Sequence, residues 1–517
     1  MTKIIIKHRG NDYFGHQRLH LTMKKIKNKQ MNQITWQTGL LAVICSLLIS
    51  SCKLGRDYVR PETDLTDTFR GSAGVDSIAD TANIADIPWS DFFTDSMLTI
   101  LIDSAIANNY DMQTALKNID IANQSLRQSR AAFFPQVDAE LAGTSHQWRS
   151  SDFYSSPSSG WYEREDHGTP PKDLYMYQSQ YFSSISMSWE LDIWGKLRRQ
   201  KEGALAEYLQ TFEAQKAIQT GLVAAIAEGY YNLLTLDAQL EVAQRNLKLN
   251  DSTLQIVKLQ RDAGEVSSLA IQQTESQMLV AASLIPELEQ QIAIQENALM
   301  ALTGRMPGGV YRSSALTDWH MQEIYDAGVP LQLLTNRPDV REAELALRAA
   351  NAEVGVAQAY RYPTLTISAE GGLNAMLPQN WFNIPGALFG GLTSGITQPL
   401  FNGRRLKTQH EIAKLERDKA EIGFQYTVMD AVHEVTNALV MIEKLNEQLA
   451  IAQQRVATAQ LGVKNANLLF KAGEATYLEV ITAQGNALNS ELDLVSIKQE
   501  QLNAKVTLYK ALGGGWK

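Results

Sequence analysis

The sequence predicts a mainly α-helical fold with a smaller transmembrane β component, arranged as two copies of one unit. Three observations support this fold class: landmark sequences recur in the same order in both halves, apolar residues repeat every seven positions over long segments, and four segments alternate apolar and polar residues. The 517 residues, 44% of them hydrophobic, suffice for two such units. The formal net charge of −9 gives no basic field, so we expect no nucleic-acid partner.

The first 51 residues have the layout of a bacterial signal peptide. A lysine-rich run at 24–29 precedes an apolar stretch at 39–49 that is too short for a permanent membrane helix. The four residues that end at Cys52 (ISSC) resemble a lipobox, so we predict that Cys52 is lipidated. An uncleaved anchor or an incidental cysteine is the alternative. Residues 1–22 fit no part of a signal peptide, and we therefore favour Met23 as the true start.

The landmarks of the repeat follow one order in both halves of the chain. Each copy begins with an Ala-rich amphipathic helix (about 111–132 and about 339–360), which is followed by alternating segments, a long helix, a short turn and a return helix. The landmarks that correspond are Pro135 and Pro363, the Ala-Gly-Glu turns at Gly264 and Gly473, and the copy ends at Gly304 and Gly514. Three landmarks in one order favour a duplicated unit.

Each copy is predicted to contain one antiparallel helical hairpin. The long helices run at about 196–261 and 405–471, and the return helices at about 266–303 and 474–512. At 1.5 Å per residue, a long helix measures on the order of 100 Å and needs partners along its length. The sustained seven-residue apolar repeat indicates coiled-coil packing between the arms. A soluble coiled-coil scaffold would explain the hairpins, although it gives no reason for the strands.

Four alternating segments lie in two pairs, at about 134–190 and about 363–400. Each is about 8–14 residues long, as a transmembrane β-strand requires. Four strands cannot close a barrel, and an open edge cannot lie in lipid. The strands therefore belong either to a soluble sheet or to a barrel shared by several chains, and three copies would supply twelve. The loops at 144–178 and 374–386 carry aromatic residues, as loops at the exposed end of outer-membrane barrels do.

Several motifs resemble those of a known family. They are the sequence from Cys52 to Pro61 (CKLGRDYVRP), Pro88 to Phe93 (PWSDFF), Trp189 to Gly195 (WELDIWG) and Thr397 to Gly403 (TQPLFNG). Together they are similar to the TolC-like outer membrane factors, in the lipoprotein branch that serves tripartite drug efflux. The resemblance covers nearly all of the chain after the signal peptide.

The resemblance implies a homotrimer in the outer membrane. Its twelve-stranded β-barrel, four strands per chain, would continue into a periplasmic α-helical barrel of coiled-coil hairpins. The implied division of the chain is a lipidated N-terminus and first equatorial segment at 52–110, repeat one at 111–304, an equatorial linker at 305–338 and repeat two at 339–514. The implied function is a passive exit duct for drugs or other small toxic compounds. Its partners would be a periplasmic adaptor protein and an inner-membrane pump of the resistance-nodulation-division type.

The hairpin tips would then form the periplasmic entrance and meet the adaptor. The tip residues are Gly264 and Glu265 in the first hairpin and Gly473 and Glu474 in the second. The family's ring of entrance carboxylates falls on Glu479, where one glutamate per chain would favour cations. An ordinary solvated helix charge is the alternative for Glu479. Phe470, Ala270 and Ala475 replace the family's polar latch residues, so we expect an apolar constriction with Phe470 pointing inward.

The sequence contains no recognisable catalytic motif, and we expect neither an enzyme nor a cofactor. His410-Glu411 and His433-Glu434 lack the second histidine of a zinc-protease helix. A glycosidase that uses two of Glu140, Glu190 and Glu370 would need a cleft, which long tandem hairpins do not readily build. Two non-enzymatic alternatives remain open. One is a duct for an ABC-type protein secretion system, and the other is a non-channel structural lipoprotein of the periplasm.

Overall fold

The structure is a computed structural model that describes residues 54–62, 69, 84–150, 175–312, 316 and 330–517. The predicted signal peptide, Cys52, most of the first strand-connecting loop and part of the 305–338 linker lie outside these residues. The contacts divide the chain into two units. One comprises residues 1–56, 131–200 and 354–410, and the other comprises residues 57–130, 201–353 and 411–517.

The chain is mainly helical, with one small antiparallel sheet, as predicted. The α-helices are α1 (Trp89–Phe92), α2 (Ser96–Asn108), α3 (Tyr110–Ala131), α4 (Lys196–Asp262), α5 (Ser268–Leu302), α6 (Leu333–Asn336), α7 (Pro338–Ala359), α8 (Arg405–Lys471) and α9 (Tyr477–Ala511). The strands are β1 (Gln136–Ser150), β2 (Tyr175–Leu191), β3 (Thr364–Ala375) and β4 (Leu388–Thr397). Short 3₁₀ turns lie at Ile84–Asp86, Pro330–Gln332 and Pro378–Asn380. Among the described helices, none combines the length and the apolarity that a bilayer crossing demands.

The major elements have the same order in both halves, and the three main helices of each half also have the same lengths. In each half a helix of 22 residues precedes two strands, a helix of 67 residues and a helix of 35 residues. The long helix and the return helix are joined by a five-residue turn in each case, at 263–267 and 472–476. This correspondence is what a duplicated unit leads one to expect.

The four strands form one antiparallel sheet in the order β1-β2-β3-β4. β2 pairs with β1 on one side and with β3 on the other, so β1 and β4 are its outer strands. The predicted extension of the fourth strand to Leu400 is wrong, because β4 ends at Thr397. Pro399 follows closely, and a proline has no N–H to continue the ladder.

The largest hydrophobic core lies in the second unit, where the middle of α4 meets α2, α8 and α9. The ring of Phe92 stacks on that of Tyr509, with centroids 4.1 Å apart. The Tyr509 hydroxyl donates to the carbonyl of Ile87 at 2.7 Å, and the Tyr230 hydroxyl donates to Asp95 at 3.2 Å. These pairs satisfy the buried polar ends of the aromatic side chains. The core therefore packs the middle of α4 and of α8 against α2 and against the C-terminal end of α9.

Candidate functional site

One face of the sheet is apolar and exposed. Across the four strands, Val137, Met187, Ala369 and Leu392 occupy one row of directly opposed residues. Side chains of opposed residues share a face, and every second residue along a strand returns to it. Leu392 is 76% exposed and Ile396 72% exposed. Exposed apolar residues also include Val137, Leu141, Ile185 and Leu388. A continuous patch of this kind indicates contact with lipid or with another apolar surface.

The opposite face of the sheet is polar and acidic. Ser186 is opposed by Asp138 on one side and by Glu370 on the other, so these two carboxylates share a row. Glu140 and Glu190 lie on the same face. Glu190 pairs with Lys196 at 2.5 Å, where the strand gives way to α4. The remaining positions are mostly serine, threonine and glycine. A face of this composition suits water.

The two hairpin tips are built by one hydrogen-bond pattern. The amides of Gly264 and Glu265 donate to the carbonyls of Arg261 and Gln260, at 2.9 and 2.8 Å. In the second hairpin, Gly473 and Glu474 donate in the same way to Phe470 and Leu469, at 3.1 and 2.9 Å. This is the Schellman motif, which requires a left-handed residue after the helix. The φ angles of +82° at Gly264 and +76° at Gly473 meet that requirement.

The predicted tip residues differ in their exposure to solvent. Glu265, Glu474 and Glu479 are exposed, as are both turn glycines. Phe470 is only 4% exposed and packs in a cluster with Val257, Ala270 and Val480. Because these partners come from both hairpins of the same chain, Phe470 joins the two tips and does not point inward. The predicted inward orientation of Phe470 is therefore wrong.

Glu479 has a local structural partner. The backbone amide of Thr476 donates to the Glu479 carboxylate at 2.6 Å, and the Thr476 hydroxyl donates to it as well. The two residues form a capping box at the start of α9. The hydrogen bonds from the Thr476 side chain and backbone lower the pKa of Glu479 below its usual value. The carboxylate is thus held ionised and exposed at the tip.

Polar contacts continue the junction of the hairpins above the tips. The buried Gln484 side chain donates to the Thr253 hydroxyl at 2.8 Å. The Tyr477 hydroxyl donates to Gln273 at 2.5 Å. Further along, Arg245 pairs with Glu491 at 2.5 Å. Each contact links the first hairpin to α9 of the second, so the two hairpins of one chain are joined over several turns.

The sequence analysis missed a set of exposed leucines at the tips. They are Leu259, Leu269, Leu468, Leu469 and Leu478. The heptad pattern identified the residues that face the partner helix, whereas these leucines lie on the other faces of the same turns. An apolar residue outside the seven-residue repeat is the signal that would have found them. Together with the glutamates, they give the tips a mixed apolar and acidic surface.

Metal binding and catalysis by carboxylates both need such side chains brought together in one place. Among the residues that the structure describes, no group of three or more His, Cys, Asp or Glu residues comes together as a metal site would require. A groove of about 630 Å³ between α8 and α9 is lined by Arg455 and by amide, hydroxyl and apolar side chains, without a carboxylate. Two positioned carboxyl groups are what a glycosidase needs in its cleft.

Sequence comparison relates the chain to bacterial efflux proteins. Residues 101–305 and 329–514 match the family described as outer membrane efflux protein. The chain is 28% identical over 478 residues to the cation efflux system protein CusC of Escherichia coli K12, covering 92% of this chain and 99% of CusC. It is 29% identical over 488 residues to the toluene efflux pump outer membrane protein TtgF of Pseudomonas putida, covering 93% and 97%.

Structural comparison agrees with the sequence matches. A crystal structure of CusC superposes with a TM-score of 0.76 at 27% identity and covers 90% of this chain and 100% of that one. The open state of the MtrE outer membrane channel of Neisseria gonorrhoeae also gives a TM-score of 0.76, at 26% identity, with 90% and 99% covered. Both superpositions cover nine-tenths of this chain and show that it has the fold of these channels.

Proposed function

Because the chain belongs to the outer membrane efflux protein family, we propose that three copies of it form one duct of a tripartite efflux system. The duct is the passive exit for drugs or other small toxic compounds delivered from the periplasm or from an inner-membrane pump. The observation that carries the proposal is the division of the sheet into an exposed apolar face and an acidic polar face. A wall between lipid and water needs both faces.

The outer strands of the sheet support a shared barrel. In lipid, the free edges of β1 and β4 would leave backbone groups without hydrogen-bond partners. Pairing β4 of one copy with β1 of the next removes every edge. Three copies give a twelve-stranded barrel, and their four hairpin arms per chain give a twelve-helix periplasmic tunnel. The exposed apolar residues on α8, among them Ile412, Leu415, Ile422 and Met429, are suited to packing against a neighbouring copy.

The hairpin tips form the periplasmic entrance in this proposal. Their exposed leucines and the glutamates Glu265 and Glu474 offer a periplasmic adaptor protein an apolar surface with an acidic rim. The adaptor links the duct to an inner-membrane pump of the resistance-nodulation-division type. The energy for transport comes from that pump.

The names of two relatives bear on which compounds the duct carries. CusC is named for cation efflux and TtgF for toluene efflux, so relatives of similar identity to this chain serve chemically different compounds. We infer that the pump selects the compound and that the duct provides a general path. A ring of three Glu479 carboxylates at the entrance favours cations over anions.

The decisive experiment combines the mass of the purified full chain in detergent with its single-channel conductance in a planar bilayer. We expect a trimer that conducts with cation selectivity. Glu479→Gln should reduce that selectivity, whereas Glu447→Gln, an exposed glutamate on α8 far from the tip, should leave it unchanged. A monomer contradicts the proposal. So does a trimer that stays silent even when its tips are loosened by Phe470→Ala, as expected of a structural scaffold.

A further inference from the structure

The N-terminal strap, Leu54–Glu62, is held by a buried arginine. Arg199, in the first turn of α4, is 1% exposed. Its Nε donates to the carbonyl of Leu54 at 3.2 Å, and its Nη2 donates to that of Gly55 at 3.1 Å. The amide of Leu54 in turn donates to the carbonyl of Trp194 at 3.2 Å. Because the buried guanidinium donates from two nitrogens to successive carbonyls, it fixes the path of the strap at that point.

Two glycines make this contact possible. Gly55 has a φ of +85°, and a Cβ built on it would lie 3.1 Å from Cα of Gly355. A Cβ on Gly355 would lie 2.9 Å from Cγ of Arg199. Because the arginine is buried, it has little room to move away. We call Arg199, Gly55 and Gly355 the Arg199 clamp, and its close packing indicates a specific seat for the strap.

The clamp lies at one end of the sheet. Trp194 follows the end of β2 and donates from its indole nitrogen to the carbonyl of Pro363, directly before β3, at 2.7 Å. Its ring also lies 5.1 Å from that of Tyr362. At the same strand ends, Leu400 and Phe401 are 94% and 93% exposed, and Phe134 before β1 is exposed too. Aromatic and apolar side chains gathered at strand ends are typical of the membrane interface.

The strap has a second set of contacts further along. Nε of Arg60 donates to the carboxylate of Glu344 on α7 at 2.8 Å, and the Tyr58 hydroxyl donates to the same group at 3.2 Å. Burial, with the neighbouring Glu344, raises the pKa of Tyr58 to about 12, so its hydroxyl stays protonated and able to donate. The strap is therefore docked at both of its ends.

We propose that Arg199 is a positioning residue for the membrane anchor. The clamp fixes where the acyl chains of Cys52 leave the protein and directs them into the lipid beside the aromatic end of the sheet. Cys52 precedes Leu54 by two residues, which span at most about 7 Å when extended. The acyl chains therefore cannot reach a distant site, and they tether the strand ends to the membrane. The inference deepens the proposed function, because it rests on the lipidation of Cys52 and on the barrel.

Trypsin provides the first test, on the purified, lipidated full chain. Within the strap, Arg60 is followed by Pro61, which leaves Arg56 as the cleavable site, and its side chain is exposed. Cleavage there requires the strap to leave its seat, so its rate reports that opening. Mass spectrometry would follow the new N-terminus at Asp57. We expect cleavage at least tenfold faster in Arg199→Met and in Gly355→Ala, with an intermediate rate in Arg199→Lys.

The matched control is Arg198→Met. Arg198 directly precedes Arg199 on the same turn of α4, but its side chain pairs with Asp192 at 3.0 Å. We expect its strap to be cleaved about as slowly as that of the wild type. If Arg199→Met is also cleaved at the wild-type rate, the clamp does not hold the strap and the inference is overturned.

A linker insertion tests the positional role itself. Four Gly/Ser residues placed between Lys53 and Leu54 leave the clamp intact but free the acyl chains from the sheet end. We expect the fraction of chain recovered as heat-stable trimer in outer membranes to fall several-fold, as in Arg199→Met, while Cys52 remains acylated by mass. Assembly of the insertion variant at the wild-type level overturns the positional role. A wild-type Cys52 without acyl chains would instead overturn the proposed lipidation.

Discussion

Replacing Phe470 by alanine tests how the two hairpins of one chain are joined at their tips. The Phe470 ring is buried with Val257, Ala270 and Val480, which come from both hairpins. Truncating a buried phenylalanine to alanine costs about 3–5 kcal/mol. The tip cluster has only four buried members and can partly collapse, so we expect the lower end, about 3 kcal/mol. Since each 1.4 kcal/mol is a factor of ten, local opening of the tips should rise about a hundredfold.

Native-state hydrogen exchange, read by mass spectrometry, measures this opening. The peptides to follow are 253–273 and 466–484, which cover the cluster and the Gln484–Thr253 contact. Exchange elsewhere along α4 and α8 should change little. Leu468→Ala is the matched control, because Leu468 lies two residues away on the same helix and is 57% exposed. Its effect should stay within about 0.5 kcal/mol. Equal exchange in the two variants, or no change in Phe470→Ala, would refute the assignment of Phe470 to the junction.

Two further substitutions test the sheet and the turns. Leu392→Arg puts a charge on the apolar face and should destabilise the protein by about 2–4 kcal/mol if that face meets the bilayer midplane, whereas Thr393→Arg on the polar face should be tolerated. The amount of heat-stable trimer recovered from outer membranes measures both effects. Equal loss of trimer in the two variants argues against the assigned faces. Gly473→Val forces a branched side chain to a φ of +76° and should destabilise the tip by at least about 1–2 kcal/mol. Gly462→Ala, within α8, should instead stabilise the helix by up to about 1 kcal/mol. Thermal unfolding measures both changes in stability. If Gly473→Val leaves the unfolding temperature unchanged, the turn assignment is wrong.

The elements that sequence reasoning located well are those with a local physical cause. The turns at Gly264 and Gly473 follow from a glycine after a long apolar repeat, since few other residues adopt a left-handed conformation there. The alternating strands likewise record which positions share a face. The alternation continues to Leu400 and so predicts a longer fourth strand, but the strand ends at Thr397, because Pro399 has no N–H for the ladder.

The residues that sequence reasoning misplaced depend on contacts between distant segments. Phe470 lies in a heptad position, but the pattern does not say whether the facing surface is a neighbouring helix or a pore. Arg199 lies in a run of charged residues at a helix start, which ordinarily indicates a solvated surface. Only the packing of Gly355 and the strap against it reveals that it is buried. Glu479 differs from these residues, because its capping role has a local signal in Thr476, three residues before it.

The two long helices have equal lengths, as have the two return helices, and this match constrains how the protein can change over evolution. Seven residues added to one arm lengthen it by about 10 Å. Unless the three other arms gain the same length, the tips no longer end level and the shared cluster around Phe470 is lost. An insertion that does not amount to nearly whole turns, such as one of five residues, rotates the apolar stripe away from its partner. The length of the hairpins therefore changes only in steps of nearly whole helical turns that all four arms take together. Selection can therefore change hairpin length only through coordinated steps, and an engineer who wants longer or shorter hairpins must alter all four arms by the same number of turns.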